Sequence, residues 1–424
     1  MSLELRADRR LIRAEAHSRR YVVARIEAPV APGQSGRLPV NIAFVLDGSG
    51  SMHGEKVRLA REAVLTAIRS LHDADHFSVV VYESEVDVVV PSTPATASAR
   101  REAEGIVRRV EARGMTDLAG GWFAGGEQVA KELHSAAVGR CLLLTDGLAN
   151  RGVTDHEALV DHARQLAARS IATTTIGVGS DFDEQLLGQI ADAGSGAFYY
   201  VESAAQIPDF MASEVGEALE VVARDVRLVV EAPAGVAVSL LNDLRTTQDG
   251  RRLTIDVGTL VSEQLFAVVL KLELPRGSDR AELLVTGTLT DREGVLADDV
   301  GSVAFAYASH TKNDAQRRDR MVEREVAAVY AARARATALG LNDRGRYAEA
   351  QRVLSGTARR IAEYAAEDAE LLAIVSELES LDASYARLMS RKSRKLEHMM
   401  SRSGLHSRDA CGGARRIDDS RDNR

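Results

Sequence analysis

The run Asp47-Gly48-Ser49-Gly50-Ser51 sets one carboxylate and two hydroxyls at alternate positions of a loop. All three side chains can turn to the same side, because Gly48 and Gly50 have no Cβ to obstruct a tight turn. Hard oxygen donors at that spacing suit a small hard cation such as Mg²⁺. The loop follows the apolar run Asn41–Leu46 and precedes a helical pattern, Glu55–Leu71. It therefore lies at the C-terminal end of a strand, where open α/β sheets hold their sites.

Two later segments offer further oxygens. Thr116 stands on a glycine-flanked turn, Gly114-Met115-Thr116-Asp117, that opens a helix near Leu118, and Asp146 follows the apolar strand ending Leu143-Leu144-Thr145. In a doubly wound sheet both lie on the same edge as Asp47. Ser and Thr hydroxyls are neutral donors, so only Asp47 and Asp146 contribute charge. A cation held by this set keeps much of its charge and an open position, and the simplest ligand to fill that position is a partner's Asp or Glu carboxylate. The bland alternative is a strand-to-helix turn with capping residues, which leaves the Thr116 and Asp146 loops as coincidences.

Other chemistries fit less well. Gly50–Lys56 lacks the spacing of a phosphate-binding P-loop. Ser49 stands where the second carboxylate of an aspartyl phosphatase would be, and neither Ser49 nor Ser51 sits in a nucleophile elbow. His53 reads as a solvent-facing residue at the helix start, Asp117 as a helix N-cap, and Trp122 as either core or rim of the site. The expected protein is therefore not an enzyme. A metal-dependent phosphoryl hydrolase using Asp47 is the alternative, and it lacks a general acid or base in the three loops. A third reading is a scaffold whose metal site is vestigial and whose helices or tail do the binding.

The elements that must position these residues alternate. Strand patterns at Asn41–Leu46, Phe77–Tyr82, Val86–Val90, Arg140–Thr145, Ile171–Val178 and Phe198–Val201 interleave with helical patterns, the last being Ala204–Val222. Wholly apolar strands such as Cys141–Leu144 fit parallel strands covered on both faces, so the expected fold is an α/β, doubly wound, mostly parallel sheet. The polar break Glu83-Ser84-Glu85 between two valine runs predicts a hairpin and an antiparallel edge strand. From Val226 to His310 short β-rich runs replace the helical period, as in a β-sandwich. The alternating N-terminal stretch has no helix to pair with, so it is expected to supply strands to that sandwich. Residues 1–37 are thus N-terminal strands of a β-sandwich, 38–222 the inserted α/β domain, 223–310 the sandwich, 311–400 a helical region of two or three antiparallel helices, and 401–424 a disordered tail. Residues 391–424 hold ten Arg and Lys against five Asp and Glu.

With 424 residues the chain has room for two to three domains. Its net charge of −8 gives no electrostatic case for nucleic-acid binding. Cys141 and Cys411 are the two cysteines, too few for a zinc cluster or a disulfide framework. Met1–Arg20 is rich in arginine and lacks the apolar core of a secretory signal, and no apolar run is long enough to span a bilayer. A cytoplasmic location, away from membranes, is the expectation.

Asp47, Ser49, Ser51, Thr116 and Asp146 match, in order, the D-x-S-x-S, threonine and aspartate pattern of a metal-ion-dependent adhesion site. On those positions, residues 38–222 resemble the von Willebrand factor A family. Asp117 departs from it, since many members have asparagine there. The resemblance implies a Mg²⁺ site, with Mn²⁺ or Ca²⁺ as alternatives, in which Asp146 acts partly through water. It also implies a protein partner that supplies the last carboxylate. The overall layout resembles bacterial cytoplasmic proteins that work beside an ATPase of the MoxR class or in signalling assemblies, which implies a scaffold or regulatory component. In related adhesion domains the helix corresponding to Ala204–Val222 shifts when the metal site is filled, and the same coupling is expected here.

Overall fold

The computed structural model describes residues 2–31, 37–133, 137–292, 294–296 and 299–417. The chain opens with β1 (Ser2–Ala7), β2 (Leu11–Arg13) and β3 (Ser18–Glu27). The α/β unit follows as β4 (Val40–Asp47), α1 (Glu55–Ser70), β5 (His76–Tyr82), β6 (Val86–Pro94), α2 (Ala97–Val107), α3 (Leu118–Lys131), β7 (Val138–Thr145), α4 (His156–Ala168), β8 (Ile171–Val178), α5 (Glu184–Ala193), β9 (Ser195–Val201) and α6 (Ile207–Leu219). Its sheet runs β6-β5-β4-β7-β8-β9. All pairs are parallel except the β5–β6 hairpin. The expected doubly wound sheet with one antiparallel edge strand is therefore what the chain forms.

The central strands β4 and β7 are buried at every residue. Ile42, Phe44 and Leu46 pack with α1, α2 and α6 on one face, while Ala43 and Val45 pack with α3, α4 and α5 on the other. Alternate residues of a strand point to opposite faces, so two covered faces demand an unbroken apolar run. Helix α1 buries Val57, Ala60, Val64, Ala67 and Ile68, an i, i+3, i+4 stripe.

After α6 come β10 (Val221–Glu231), β11 (Ala237–Leu240), β12 (Thr246–Asp249), β13 (Arg252–Val261), β14 (Leu265–Leu274), β15 (Glu282–Thr290) and β16 (Val300–Ala308). They pack as two sheets, β1-β3-β14-β11 and β12-β13-β10-β15-β16-β2, so the N-terminal strands are shared between both. The two chain crossings to the α/β unit meet beside the β13–β14 turn. There Ala31 N donates to Ser262 Oγ (2.9 Å) and Ser262 N donates to Glu220 O (2.8 Å).

The C-terminal region comprises α7 (His310–Ala315), α8 (Arg320–Asp343), α9 (Tyr347–Ala365), α10 (Ala369–Ser380), α11 (Asp382–Tyr385) and α12 (Arg391–Leu405). Val322, Val326 and Val329 of α8 cover Ala267 and Val269 on the outer face of β14, so that strand too is buried on both sides. No helix among the described residues is long and apolar enough to cross a membrane.

Four readings need correction. The expected helix Ala204–Val222 is a short 3₁₀ turn followed by α6, and Val221 already begins β10; the β-branched Val221-Val222 pair favours the strand. The stretch Leu339–Gly345 reads as a break in the helical stripe, but α8 runs through Gly340 to Asp343 and stops only before Gly345, whose φ is +72°. A glycine inside a helix costs only about 1 kcal/mol, which packing on two sides offsets. The segment read as one helix over Asp368–Met389 breaks into α10 and α11. Finally, the tail expected to be disordered from 401 is ordered through 417. Helix α12 continues to Leu405, and beyond it Arg408 pairs with Glu217, Arg415 with Glu325 and Arg416 with Glu220. The polar composition that looks solvated is matched by acids brought in from α6 and α8 and the turn after α6. Residues 418–424 lie outside the described residues.

Helix α12 docks on the α/β unit through charge. The Lys395 side chain is only 1% exposed. Its ammonium donates to Glu184 Oε2 (2.7 Å) and Phe182 O (2.5 Å), and stands 3.7 Å from the Phe182 ring centroid. Arg394 reaches the other oxygen of Glu184 at 2.5 Å. Arg391 pairs with Asp181, Lys392 with Glu202 and Arg402 with Asp192.

Candidate metal centre

Three loops at the C-terminal edge of the parallel sheet are stitched together by backbone hydrogen bonds. Gly48 N donates to Tyr82 O (2.8 Å), Arg113 N to Gly48 O (2.6 Å), Gly50 N to Gly114 O (3.2 Å) and Asp117 N to Glu83 O (2.8 Å). The loop after β7 joins the same seam: Thr116 N donates to Asn150 Oδ1 (3.0 Å) and Asn150 N to Thr116 O (3.3 Å). Gly48 is required for close approach, since a Cβ there would stand 2.8 Å from Val81 Cγ1, whereas a Cβ on Gly50 would make only an ordinary 3.7 Å contact with Gly114 O.

The five singled-out residues converge on this seam. Asp47, Ser49, Thr116 and Asp146 are buried, and Ser51 is exposed, so the cluster opens to solvent on the Ser51 side. Asp47 Oδ1 accepts from Ser49 N (2.8 Å), and Ser49 Oγ lies 3.0 Å from Ser51 Oγ. Ser51 Oγ donates to Asp146 Oδ1 at 2.6 Å. A Cβ placed on Gly147 would be 3.7 Å from Thr116 Oγ1 and 3.9 Å from Ser51 Oγ, so both hydroxyls border one point beside that glycine. Thr116 Oγ1 makes no hydrogen bond among the described residues and is not one of the enclosed unpartnered oxygens, so it is open to solvent although most of the residue is buried.

Two residues that the sequence reading passed over also belong here. Thr145 donates its hydroxyl to Asp47 Oδ2 (2.7 Å) and accepts from Gly147 N (3.2 Å), fixing the Asp47 carboxylate. Lys56, on the first turn of α1, places its ammonium against Asp146 Oδ2. The signal for Thr145 was its position directly before Asp146; for Lys56 there was none beyond its closeness to Ser51.

Burial pushes the Asp47 carboxyl above its ordinary value; hydrogen bonds from Ser49 and Thr145 oppose this, and the Asp146 charge adds to it. Two buried carboxylates with a single, partly exposed ammonium are short of positive charge. A donor set of two carboxylates and three hydroxyls, one of them unpartnered, fits a hard divalent cation. Among the described residues no group of three or more His, Cys, Asp or Glu could hold a metal, here or elsewhere, so this candidate depends on its hydroxyls as well as its two carboxylates.

Other candidates resolve differently. Asp117 accepts from Gly120 N (2.9 Å) and caps α3. His53 is exposed. Trp122 is core rather than rim: it is fully buried and donates through Nε1 to Thr173 Oγ1 (3.2 Å). Thr173-Thr174-Thr175 in β8 suits a strand by its β-branched side chains and also ties the sheet to its helices, since Thr174 Oγ1 donates to buried Glu214 on α6 (2.7 Å) and Thr175 Oγ1 to Leu187 O (2.9 Å).

A doubly wound sheet with one antiparallel edge strand and three loops gathered at its C-terminal edge defines an open α/β domain. Residues 41–213 match the family model of the von Willebrand factor type A domain, and the α/β unit is such a domain. The chain is similar to the uncharacterized protein YfbK of Escherichia coli (strain K12), 27% identical over 201 residues, which are 47% of this chain and 35% of YfbK. It is also similar to the inter-alpha-trypsin inhibitor heavy chain H1 of Mesocricetus auratus, 32% identical over 173 residues, 39% of this chain and 19% of that one. The chain thus spans about a third or less of the length of these relatives. Among solved structures, a von Willebrand factor type A protein from Catenulispora acidiphila superposes with a TM-score of 0.70 at 20% identity. That match covers 98% of this chain and 97% of the other, so the likeness of fold extends over the sandwich and the helices.

Proposed function

We propose that the α/β unit holds a divalent cation, Mg²⁺ in the first place and Mn²⁺ or Ca²⁺ as alternatives, on Asp47, Ser49, Ser51, Thr116 and Asp146. It would use that cation to bind an Asp or Glu carboxylate of a protein partner. The observation that carries this reading is the convergence of two buried carboxylates and three hydroxyls beside Gly147, with only Lys56 to balance them. When bound, the cation supplies a Lewis-acidic position for an anionic ligand. The chain's own residues do the rest. Thr145 orients Asp47, the Ser49 amide holds its other oxygen, and the Asn150 clamp fixes Thr116. Asp146 is already committed to the Ser51 hydroxyl and the Lys56 ammonium, and Asp47 to the Ser49 amide and the Thr145 hydroxyl, which favours holding a ligand over acting as a base. The reading is therefore binding without turnover, as a scaffold or regulatory component of a cytoplasmic assembly. A partnership with an ATPase of the MoxR class belongs to the same proposal, on the overall layout alone.

The test is titration calorimetry of Mg²⁺ into the full chain and into Asp47→Ala, followed by capture of partners with each protein in Mg²⁺ and in EDTA. Metal binding and metal-dependent capture by the wild type, both lost in Asp47→Ala, are expected. Capture that is equal in EDTA, or equal for the variant, would remove the metal from the function.

A further inference from the structure

Large apolar side chains are mostly buried in this molecule. Among the described residues ten remain exposed, and three of them sit on the two loops that carry Thr116 and Asp146: Met115 at 50%, Leu148 at 55% and Val153 at 40% exposure. Their loops are not independent. The two Thr116–Asn150 hydrogen bonds tie them together, and Gly152 lies so close to Asp117 that a Cβ would stand 2.4 Å from its Oδ1. Met115, Leu148 and Val153 therefore flank a single seam that ends at Thr116 Oγ1. Nothing in the folding of the α/β unit requires them to be apolar, because they add nothing to either face of the sheet.

Most charged groups of the same loops already have partners. Asp117 and Asp155 are used as caps of α3 and α4, and Arg113 pairs with Glu83 at 2.7 Å. Arg151 is exposed and makes no ion pair among the described residues. Arg109 is likewise exposed and unpaired among them, against one exposed unpaired acid, Glu111, so the charge left uncommitted on the two loops is positive by one and complements an acidic ligand.

Resting on the metal-site reading above, we propose that the rim receives a protein segment in which the ligating Asp or Glu is flanked by a large apolar residue. The carboxylate goes to the cation, the apolar neighbour packs on Met115, Leu148 and Val153, and Arg151 faces the segment's remaining negative charge. The rim makes specificity a matter of the residues beside the acid, which a bare cation cannot read. Partial burial of one leucine side chain corresponds to about tenfold in affinity.

Short synthetic peptides with one central aspartate, flanked by leucines or by serines, test this by fluorescence anisotropy on the full chain in saturating Mg²⁺. The leucine-flanked peptide is expected to bind about tenfold more tightly. The double variant Met115→Ser, Leu148→Ser, whose positions are exposed, should keep the wild-type Mg²⁺ affinity in calorimetry and lose that ratio. Equal affinity of the two peptides, including no binding of either, overturns the apolar rim, as does a ratio that survives in the double variant. Absence of Mg²⁺ binding by the wild type in calorimetry is a different result. It sinks the metal-site reading itself, and this inference with it.

Discussion

Two of the places where carboxylates are buried in this molecule treat them in opposite ways. At the docking face of α12, Glu184 lies between Lys395 and Arg394. Burial alone would raise its carboxyl, yet those two cations hold it below the ordinary value, even though burial also pulls the Lys395 ammonium down. At the sheet edge, Asp47 and Asp146 share one ammonium, and the Asp47 carboxyl is pushed up by its burial. The first arrangement closes on itself: acid and base are matched within the chain, and a contact results. The second is short of positive charge and open to solvent at Ser51. The charge missing at the second place is what the proposed cation would supply.

The comparison can be broken most forcefully at α12. Lys395→Ala leaves Glu184 buried with only Arg394, and loss of one member of a buried pair costs about 3 kcal/mol. The expected result is a lowered urea midpoint together with protease cleavage near residue 391. An unchanged midpoint would mean that α12 is not held by this charge match.

Acid should loosen the same face. Burial pushes His398 and His406 down to about 4 from an ordinary value of 6.5. Each is neutral in the folded chain and takes up a proton when released. Stability is therefore complete above pH 6.5 and falls as pH drops from there toward about 4, by on the order of 1–2 kcal/mol per histidine at pH 5. Hydrogen exchange of residues 391–417 at pH 7.5 and pH 5 checks this, and His398→Asn, His406→Asn should flatten the difference.

A smaller effect with a change of sign sharpens the other side. Without metal, Asp47→Asn removes a charge from a buried pair and should raise stability by roughly 1 kcal/mol. In saturating Mg²⁺ the order should reverse, because the wild type alone gains binding energy on folding. Melting curves in EDTA and in Mg²⁺ read both signs. The smallest effect is expected at Lys56, whose ammonium competes with a cation for Asp146 Oδ2. Lys56→Ala should tighten Mg²⁺ binding about fivefold, as befits a partly exposed ion pair; weaker binding would make Lys56 a support of the site rather than a competitor.

Much of the α/β unit was legible because its signals are local. Strands buried on both faces are apolar through their centres, as in Ile42–Leu46 and Cys141–Leu144, and helices on their faces must carry a stripe of period 3.6. The site residues were legible for a related reason: Asp47, Ser49 and Ser51 lie within one loop, and Thr116 and Asp146 each follow or precede a recognisable element. The boundary between α6 and β10 was not, since Val221-Val222 can continue a helical stripe or begin a strand. Only pairing with β13 settles it.

The amino-acid sequence by itself determined the order of α and β elements, the doubly wound class of the sheet and the set of oxygens at its edge, because each depends on spacing within a short stretch. Tertiary structure alone decided what those stretches meet. It made Trp122 core by giving its Nε1 the Thr173 hydroxyl, and it brought Lys56 to Asp146 and Thr145 to Asp47. It also turned a basic, polar C-terminus into a docked segment by setting Glu184, Glu217, Glu220 and Glu325 opposite its arginines and lysine. Charge complementarity carries no period and acts between residues some 200 positions apart, as in Lys395 and Glu184. It is therefore invisible until the chain has folded.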